Sequence, residues 1–206
     1  MFETIDEDYT FELVEKKSRF IANLMYVDNR EDAETKIKEL KKKYHDARHN
    51  CFAYRVLEDE TIFERSSDDG EPSGTAGAPM LNILQRNNFC NVLVVVTRYF
   101  GGILLGTGGL VRAYSGAVQG VIQNATKIQI EQGCKYKVLV DYNNFQNFQY
   151  YCKKTEIRIT KASYGETVEC VLEMNTSTQE KFLQDLKNKK IIISIAQEKQ
   201  NEYIRT

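Results

Sequence analysis

The sequence lacks an excess of charge of either sign. Its 28 lysine and arginine residues nearly balance 29 aspartate and glutamate residues, and the formal net charge at pH 7 is -1. Overall charge therefore gives this protein no positive field that would draw it to nucleic acid. We expect no DNA specificity, and any contact with RNA requires a local patch of basic side chains.

Long apolar runs are missing as well. The most apolar stretch, residues 92–111, is interrupted by Arg98 and by five glycines, so its continuous apolar core covers residues 92–96. A transmembrane helix needs about 20 apolar residues, so we expect no membrane segment. The acidic amino terminus, residues 1–8, has no basic segment followed by an apolar run, and it predicts no secretory signal.

The cysteines form no Cys-x-x-Cys pair of the kind found in metal and redox sites. There are five of them, an odd number, and they are widely spread along the chain. This usage favours reduced, mostly buried thiols, which fits the cytoplasm because disulfides seldom persist there. The sequence thus predicts a cytoplasmic protein, and it specifies no cofactor, no metal ion and no oligomeric state.

The patterns that are present predict an α+β fold of two domains, each an α/β sandwich. Beyond Gly133 the pattern restarts, so we place the boundary near residues 127–134, with domains at 1–130 and 134–206. The second domain is predicted to contain strands at 136–140, 157–162, 167–174 and 191–196, with one helix at 144–154 and another before the last strand. This order, β-α-β-β-α-β, is the ferredoxin-like plan.

In the first domain the sequence predicts a buried central strand. The largely β-branched run at 92–96 is typical of a strand that is buried on both faces. Residues 66–74, by contrast, carry turn chemistry almost throughout. The other predicted strands lie at 9–15, 20–27, 50–57 and 61–64. One predicted helix follows Asp28 or Asn29, a second has Pro79 in its first turn and runs to about Gln85, and a third has its buried positions from Leu110 to Ile122.

The first candidate site is the acidic segment RSSDDGEPSGTAGAPM, residues 65–80. It concentrates the carboxylates of Asp68, Asp69 and Glu71 beside small residues that let a ligand or another chain approach. Carboxylates can hold Mg²⁺ or accept hydrogen bonds from a partner's arginine. A plain surface turn is the simpler interpretation, because Asp, Gly, Pro and Ser populate turns for local reasons.

The second candidate site is TRYFGGILLGTGGLVRAY, residues 97–114. A buried strand, a glycine loop and a helix amino terminus follow one another, and such a succession can bind an anion through free N–H groups and the helix dipole. Arg98 and Arg112 are expected to complete that site. The segment matches neither Gly-x-Gly-x-x-Gly nor a P-loop, so it specifies no nucleotide. Close packing of helix on sheet through the glycines is the alternative.

The two histidines suggest weaker hypotheses. His45, Asp46 and His49 spell H-D-A-R-H, which superficially matches a zinc protease helix, but aspartate is shorter than the glutamate base that such a site needs. His49 and Cys51 would share one face of a strand, which suggests a Cys/His nucleophilic pair. A buried cysteine beside a hydrogen-bonded histidine is the more common arrangement.

Four segments together resemble the hallmark motifs of the IMPACT family, and the chain resembles its bacterial, YigZ-type (UPF0029-like) members. The segments are KKSRF at 16–20, HNCFAY at 49–54, SSDDGEPSGTAGAPML at 66–81 and VTRYFGGILLGTGGLVRAY at 96–114. The resemblance implies an amino-terminal domain similar to the second domain of ribosomal protein S5. It also implies a carboxyl-terminal domain similar to the ferredoxin-like domains of elongation factor G.

The resemblance further implies a non-catalytic binding protein in translation or stress regulation, whose partner is the ribosome, RNA or a translation-associated protein. The alternative is a phosphate- or nucleotide-handling small-molecule enzyme with a divalent metal at the acidic loop. We assign no catalytic residue. The candidate binding residues are Arg65, Ser66, Asp68, Asp69, Glu71, Ser73, Arg98, Tyr99, Gly101, Gly102, Gly106, Gly108, Gly109, Arg112 and His49.

Overall fold

The computed structural model describes residues 2–58 and 61–205, apart from the side chains of Gln200 and Asn201. The chain divides into two compact units, residues 1–129 and 130–206. It is an α+β protein with two antiparallel sheets. Within the described residues, no helix combines the length and the apolar character needed to cross a bilayer.

The first unit contains nine elements within its described residues. In chain order they are β1 (Phe2–Ile5), β2 (Tyr9–Glu15), β3 (Ser18–Tyr26), α1 (Arg30–Lys43), β4 (His49–Glu58), β5 (Thr61–Ser67), α2 (Gly77–Arg86), β6 (Val92–Tyr99) and α3 (Gly106–Asn124). Strand β7 (Lys127–Val140) leads into the second unit. There it is followed by α4 (Tyr142–Lys154), β8 (Arg158–Tyr164), β9 (Val168–Asn175), α5 (Thr176–Lys187) and β10 (Ser194–Arg205).

The central strand of the first unit is β6. The strand order is β2-β3-β6-β4-β5, so β6 has a neighbour on each side. Its residues Val92, Val94 and Val96 pack with α2 and α3, while Leu93 and Val95 pack with α1 on the opposite face. Helices thus cover both faces of the sheet, which explains why this strand has no polar alternation. The prediction of a strand buried on both faces is confirmed.

Several helix ends also follow the sequence. Helix α1 begins after Asn29, whose side chain accepts a hydrogen bond of 2.8 Å from the N–H of Asp32. Pro79 lies in the first turn of α2, where its missing N–H leaves no bond unmade.

The end of β5 differs from the prediction, because Arg65 and Ser66 belong to this strand and pair with β4. The irregular acidic segment therefore begins at Asp68.

The second unit has the predicted β-α-β-β-α-β order of elements, with the strand order β8-β9-β7-β10. One face of its sheet packs on α4 and α5 around a core that includes Tyr136, Phe148 and Phe182. The predicted last strand was wrong in its bounds, because β10 starts later and extends to Arg205. Polar side chains dominate residues 197–205, so the sequence shows no apolar alternation that would predict this part of β10 as a strand. It nevertheless pairs with β7.

We predict that Gly120→Ala destabilises the first unit, whereas Gly116→Ala has little effect. A Cβ at position 120 would lie 2.2 Å from Phe11 Cε1, so the ring must move. Such overpacking costs about 1–3 kcal/mol. At position 116 the nearest atom is Leu13 Cδ2 at 3.2 Å, and the higher helix propensity of alanine, worth about 1 kcal/mol, offsets that contact. Midpoints of urea unfolding measure the difference, and equal midpoints for the two variants would contradict the packing argument.

Candidate functional site

Asp68 organises the acidic segment from within. Its carboxylate accepts hydrogen bonds from the N–H groups of Gly74 (2.8 Å), Ala76 (2.9 Å) and Gly77 (2.8 Å). Two of these donors lie at the start of α2, so Asp68 caps a helix that has no side-chain cap of its own. Burial raises the pKa of Asp68, but the three backbone donors outweigh it and hold the pKa below its ordinary value. Asp68 is therefore a structural carboxylate.

Asp69 ties the same segment to α1 and β4. Its backbone has a left-handed φ of 42°. One carboxylate oxygen lies 2.5 Å from Lys41 Nζ, and the other accepts from the N–H of Asn50 at 2.7 Å. The Asp69 carbonyl oxygen lies 2.9 Å from Nδ1 of His49, so the His49 ring contacts the backbone of the acidic segment. The charge of Asp69 is thus already matched by a lysine of the same chain.

Glu71 is buried where the two candidate segments meet. Its Oε1 accepts from Arg98 Nη1 at 2.6 Å and from Tyr114 Oη at 2.9 Å. His49 Nε2 lies 4.0 Å from the same oxygen. The side chains of Glu71 and Arg98 are 3% and 8% exposed. These contacts bring β6, α3 and the acidic segment together around one buried carboxylate.

Arg98 is not available as a surface anion ligand. Its guanidinium faces Glu71 and lies over the rings of Phe20, at 5.5 Å, and Phe100, at 5.6 Å. Its Nε is buried and makes no hydrogen bond within the described residues. The sequence suggested that Arg98 completes an anion site together with Arg112. The structure instead pairs Arg98 with an internal carboxylate, because strand alternation directs it into the protein.

Cys51 and His49 do not form a nucleophilic pair. Cys51 Sγ donates to the carbonyl of Asp68 at 2.9 Å and lies 3.3 Å from Tyr114 Oη, while His49 contacts Asp69 and Glu71. Burial raises the pKa of Cys51 to about 12, so the thiolate that attacks a substrate is scarce at neutral pH. This cysteine is a buried structural residue.

A zinc site at His45 and His49 is not supported either. Helix α1 ends at Lys43, so the H-D-A-R-H segment lies after this helix and ends at His49, the first residue of β4. Among the residues that the structure describes, no group of three His, Cys, Asp or Glu side chains is placed to hold a metal ion.

The glycine loop between β6 and α3 carries three exposed apolar side chains. Phe100, Ile103 and Leu104 are 50%, 42% and 83% exposed, and we call them the apolar crest. Gly101 fixes the base of this loop, since a Cβ there would lie 2.0 Å from the backbone of Lys17. Its N–H also donates to Ser18 Oγ at 3.1 Å. Sequence reasoning missed the crest, because apolar residues between glycines suggest packing rather than exposure.

Helix α3 begins beside the crest with an exposed and uncapped first turn. Gly106, Thr107 and Gly108 are exposed. The first turn has no acidic residue, and Leu105 at the N-cap position makes no side-chain hydrogen bond. Arg112 is exposed, and its Nη1 would lie 3.6 Å from a Cβ on Gly108. An arginine thus stands at the positive end of the helix.

The remaining candidate residues are scattered. Arg65 points to the α1 face, where it pairs with Glu34 at 2.5 Å and lies over Phe52. Tyr99 donates to Asp46 at 2.8 Å. Ser73 is exposed in the acidic segment and Ser66 is half-buried in β5. The structure brings together residues 98–112 with Glu71 and His49, but it leaves Arg65 on the opposite face of the sheet from α3.

Comparison with known proteins matches both units. Residues 16–122 match the protein-family model of the Impact N-terminal domain, and residues 138–189 match the family model of a domain of unknown function (DUF1949). The IMPACT family member YvyE of Bacillus subtilis is 35% identical over 190 residues, which is 91% of this chain and 87% of the relative. An IMPACT family member of Haemophilus influenzae is 38% identical over 181 residues, 87% of each chain.

A solved structure supports the same assignment. The crystal structure of a hypothetical protein is similar to this chain with a TM-score of 0.63 and 30% identity, and it covers 95% of this chain and 97% of its own. Similarity of this extent includes both units and the motifs at residues 66–81 and 96–114. On this evidence the chain belongs to the IMPACT family.

Proposed function

We propose that this protein is a non-catalytic regulatory binding protein, and that it acts in translation or stress regulation through the surface around the apolar crest. We define the crest surface as Phe100, Ile103 and Leu104, the exposed first turn of α3, and Arg112. The observation that carries this proposal is the exposure of three apolar side chains on a loop whose base is fixed. Apolar groups clustered on a surface commonly mark contact sites for other macromolecules.

The acidic segment supports the proposal by building the frame below this surface. Each of its carboxylates has an internal partner: backbone amides for Asp68, Lys41 for Asp69 and Arg98 for Glu71. Breaking a buried ion pair by removing one partner typically costs about 3–5 kcal/mol. Such a frame holds the loop in place, so a partner meets a surface that is already ordered and loses less entropy on binding.

The place in translation rests on family membership and on resemblance. On this proposal the two units correspond to the predicted domains at 1–130 and 134–206. The first is similar to the second domain of ribosomal protein S5, and the second to the ferredoxin-like domains of elongation factor G. The ribosome, RNA or a translation-associated protein would be the partner, in the cytoplasm. Three basic side chains on the second sheet, Lys135, Lys137 and Arg205, are paired with carboxylates, which favours the crest surface as the contact.

An enzyme that handles phosphate or nucleotides is the second candidate function. It is favoured by one observation, the uncapped first turn of α3 with Arg112 beside it. Free N–H groups at a helix amino terminus, with a nearby guanidinium, suit a phosphate group. The metal at the acidic loop finds less support, because Asp68, Asp69 and Glu71 are engaged with partners of the same chain.

We predict that Asp68 contributes to stability and not to binding. Asp68→Ala removes the acceptor for three backbone donors and is expected to cost about 2 kcal/mol, while Asp68→Asn keeps one acceptor and costs less. Because the pKa of Asp68 in the folded protein lies below its ordinary 3.8, its charge stabilises the fold above that pH. This stabilisation is lost as the pH falls through the folded value.

The test is urea unfolding of the three proteins from neutral pH to pH 3. The free energy of unfolding should fall less steeply with acid in Asp68→Asn than in the unchanged chain. Parallel pH profiles would show that Asp68 does not act as a charged cap.

We predict that Leu104→Ser abolishes partner binding without loss of stability. Leu104 is 83% exposed, so its replacement removes contact area from the partner but hardly any from the core. Surface changes of this kind usually alter stability by no more than about 0.5 kcal/mol. The measurement is co-sedimentation with ribosomes and pull-down from cell lysate at two salt concentrations, with Ile192→Ser in the second unit as the matched control.

Three outcomes separate the candidates. Loss of ribosome or protein capture in Leu104→Ser, with capture retained in Ile192→Ser, supports a binding protein. Equal capture by all three proteins contradicts the crest surface as the contact. Saturable thermal stabilisation by a nucleotide with Mg²⁺ supports the enzyme instead.

A further inference from the structure

The positive end of α3 has no anion of its own. Helix dipoles favour negative groups at the amino terminus and disfavour cations there. The first turn of α3 nevertheless contains no carboxylate, and the Arg112 guanidinium turns back towards Gly108. Within the described part of the chain, the Arg112 side chain makes no ion pair or hydrogen bond. Two positive features therefore meet at an exposed place, and the first turn of α3 supplies no negative group to match them.

Further cations border the loop that carries the crest. Lys16 and Lys17 form the exposed turn between β2 and β3, and Gly101 packs directly on the backbone of Lys17. The packing of α3 on β2 places Gly120 on Phe11 and Gly116 on Leu13, so one helical turn earlier Arg112 lies level with this end of β2.

The negative groups at this end of β2 are few. Glu15 is exposed there, while Glu12 is already paired with Arg19 at 2.9 Å. At this end of β2, three exposed cations, Arg112, Lys16 and Lys17, stand against Glu15, the carboxylate there that makes no ion pair within the described residues. The balance of charge at this end of β2 is therefore positive, even though the whole chain carries a net charge of -1.

The apolar crest lies on the loop between β6 and α3, next to these positive groups, and it sets the second requirement on a ligand. Phe100 is its one aromatic member, and Ile103 and Leu104 are aliphatic. Single-stranded nucleic acid is usually held by several aromatic rings that stack on successive bases. Branched aliphatic side chains pack better against the leucine, isoleucine or phenylalanine side chains of a protein. The crest therefore favours a polypeptide over RNA.

We infer that the crest surface accommodates an acidic segment of a partner protein, in which carboxylates stand next to large apolar side chains. This inference rests on the proposed function, since it names the partner class for the same surface. The carboxylate binds at the first turn of α3 and Arg112, and the apolar side chains cover Leu104, Ile103 and Phe100. Leu104 and Gly108 are four residues apart, so their Cα atoms lie within about 13 Å of each other, a span that roughly four extended residues bridge.

The test is selection of peptides from a phage-displayed random library on the immobilised full chain. Selected peptides are expected to combine an aspartate or glutamate with leucine, isoleucine or phenylalanine within a few positions. Arg112→Gln should weaken binding of a selected synthetic peptide about tenfold, because a charge-assisted hydrogen bond is lost. Arg86→Gln, which changes an exposed arginine near the end of α2, is the matched control and should bind as the unchanged chain does.

A second series changes the probe rather than the protein. Replacing the acidic residues of the selected peptide by glutamine or asparagine should weaken binding about as much as Arg112→Gln does. Combining both changes should then add little, since each removes the same contact. Additive losses would overturn the pairing of Arg112 with the peptide carboxylate. A single-stranded uridine oligonucleotide that binds in an Arg112-dependent manner, while no acidic peptide is selected, would overturn the partner class in favour of RNA.

The same variants separate this inference from the proposed function. If Leu104→Ser abolishes partner capture but Arg112→Gln does not, the binding function stands and the acidic partner is wrong. If neither change affects capture, the crest surface is not the contact and both fail. Urea unfolding of Arg112→Gln tests whether a loss of partner or peptide binding comes from a loss of stability. Because Arg112 is exposed, its replacement should leave the free energy of unfolding unchanged.

Discussion

The buried carboxylate of Glu71 is the contact on which the first unit's functional region depends. A single oxygen accepts from Arg98 at the end of β6 and from Tyr114 in α3. A buried charge is tolerated when it is paired and hydrogen-bonded, and it becomes costly when either condition fails. The partners of Glu71 thereby fix where β6 ends, where α3 lies and how the loop between them leaves the sheet.

This arrangement gives the residues of segments 65–80 and 97–114 two different roles: some side chains hold the region together from within, and others are exposed to solvent. The charged residues that look most like ligands in the sequence form the frame, with Asp68 capping α2 and Asp69 held by Lys41. The apolar residues that look like core lie outside, because Gly101 must pack on the backbone of Lys17 and leaves Phe100, Ile103 and Leu104 on the solvent side. Polar groups stabilise the interior here, and apolar groups are exposed on the loop.

Local charge matters more than total charge for a protein of this composition. Ion pairs such as Lys137 with Glu169 neutralise much of the second unit's sheet, and the whole chain is almost neutral. A steering field therefore arises only where cations outnumber carboxylates, as they do beside the first turn of α3. Electrostatic complementarity of this local kind mainly sets partner choice and the rate of association.

The sequence by itself determined the elements whose signals are local. The β-branched run at 92–96, a helix cap at Asp28 or Asn29 and the β-α-β-β-α-β order follow from periodicity and turn chemistry within short windows. The tertiary structure decided which way Arg98 points, that β10 extends through polar residues to Arg205, and that the crest is exposed. Glu71 and Tyr114 are 43 residues apart, and no local pattern records that the Tyr114 hydroxyl donates a hydrogen bond to the Glu71 carboxylate. Whether a side chain builds the frame or faces a partner depends on such distant contacts, which exist only once the chain has folded.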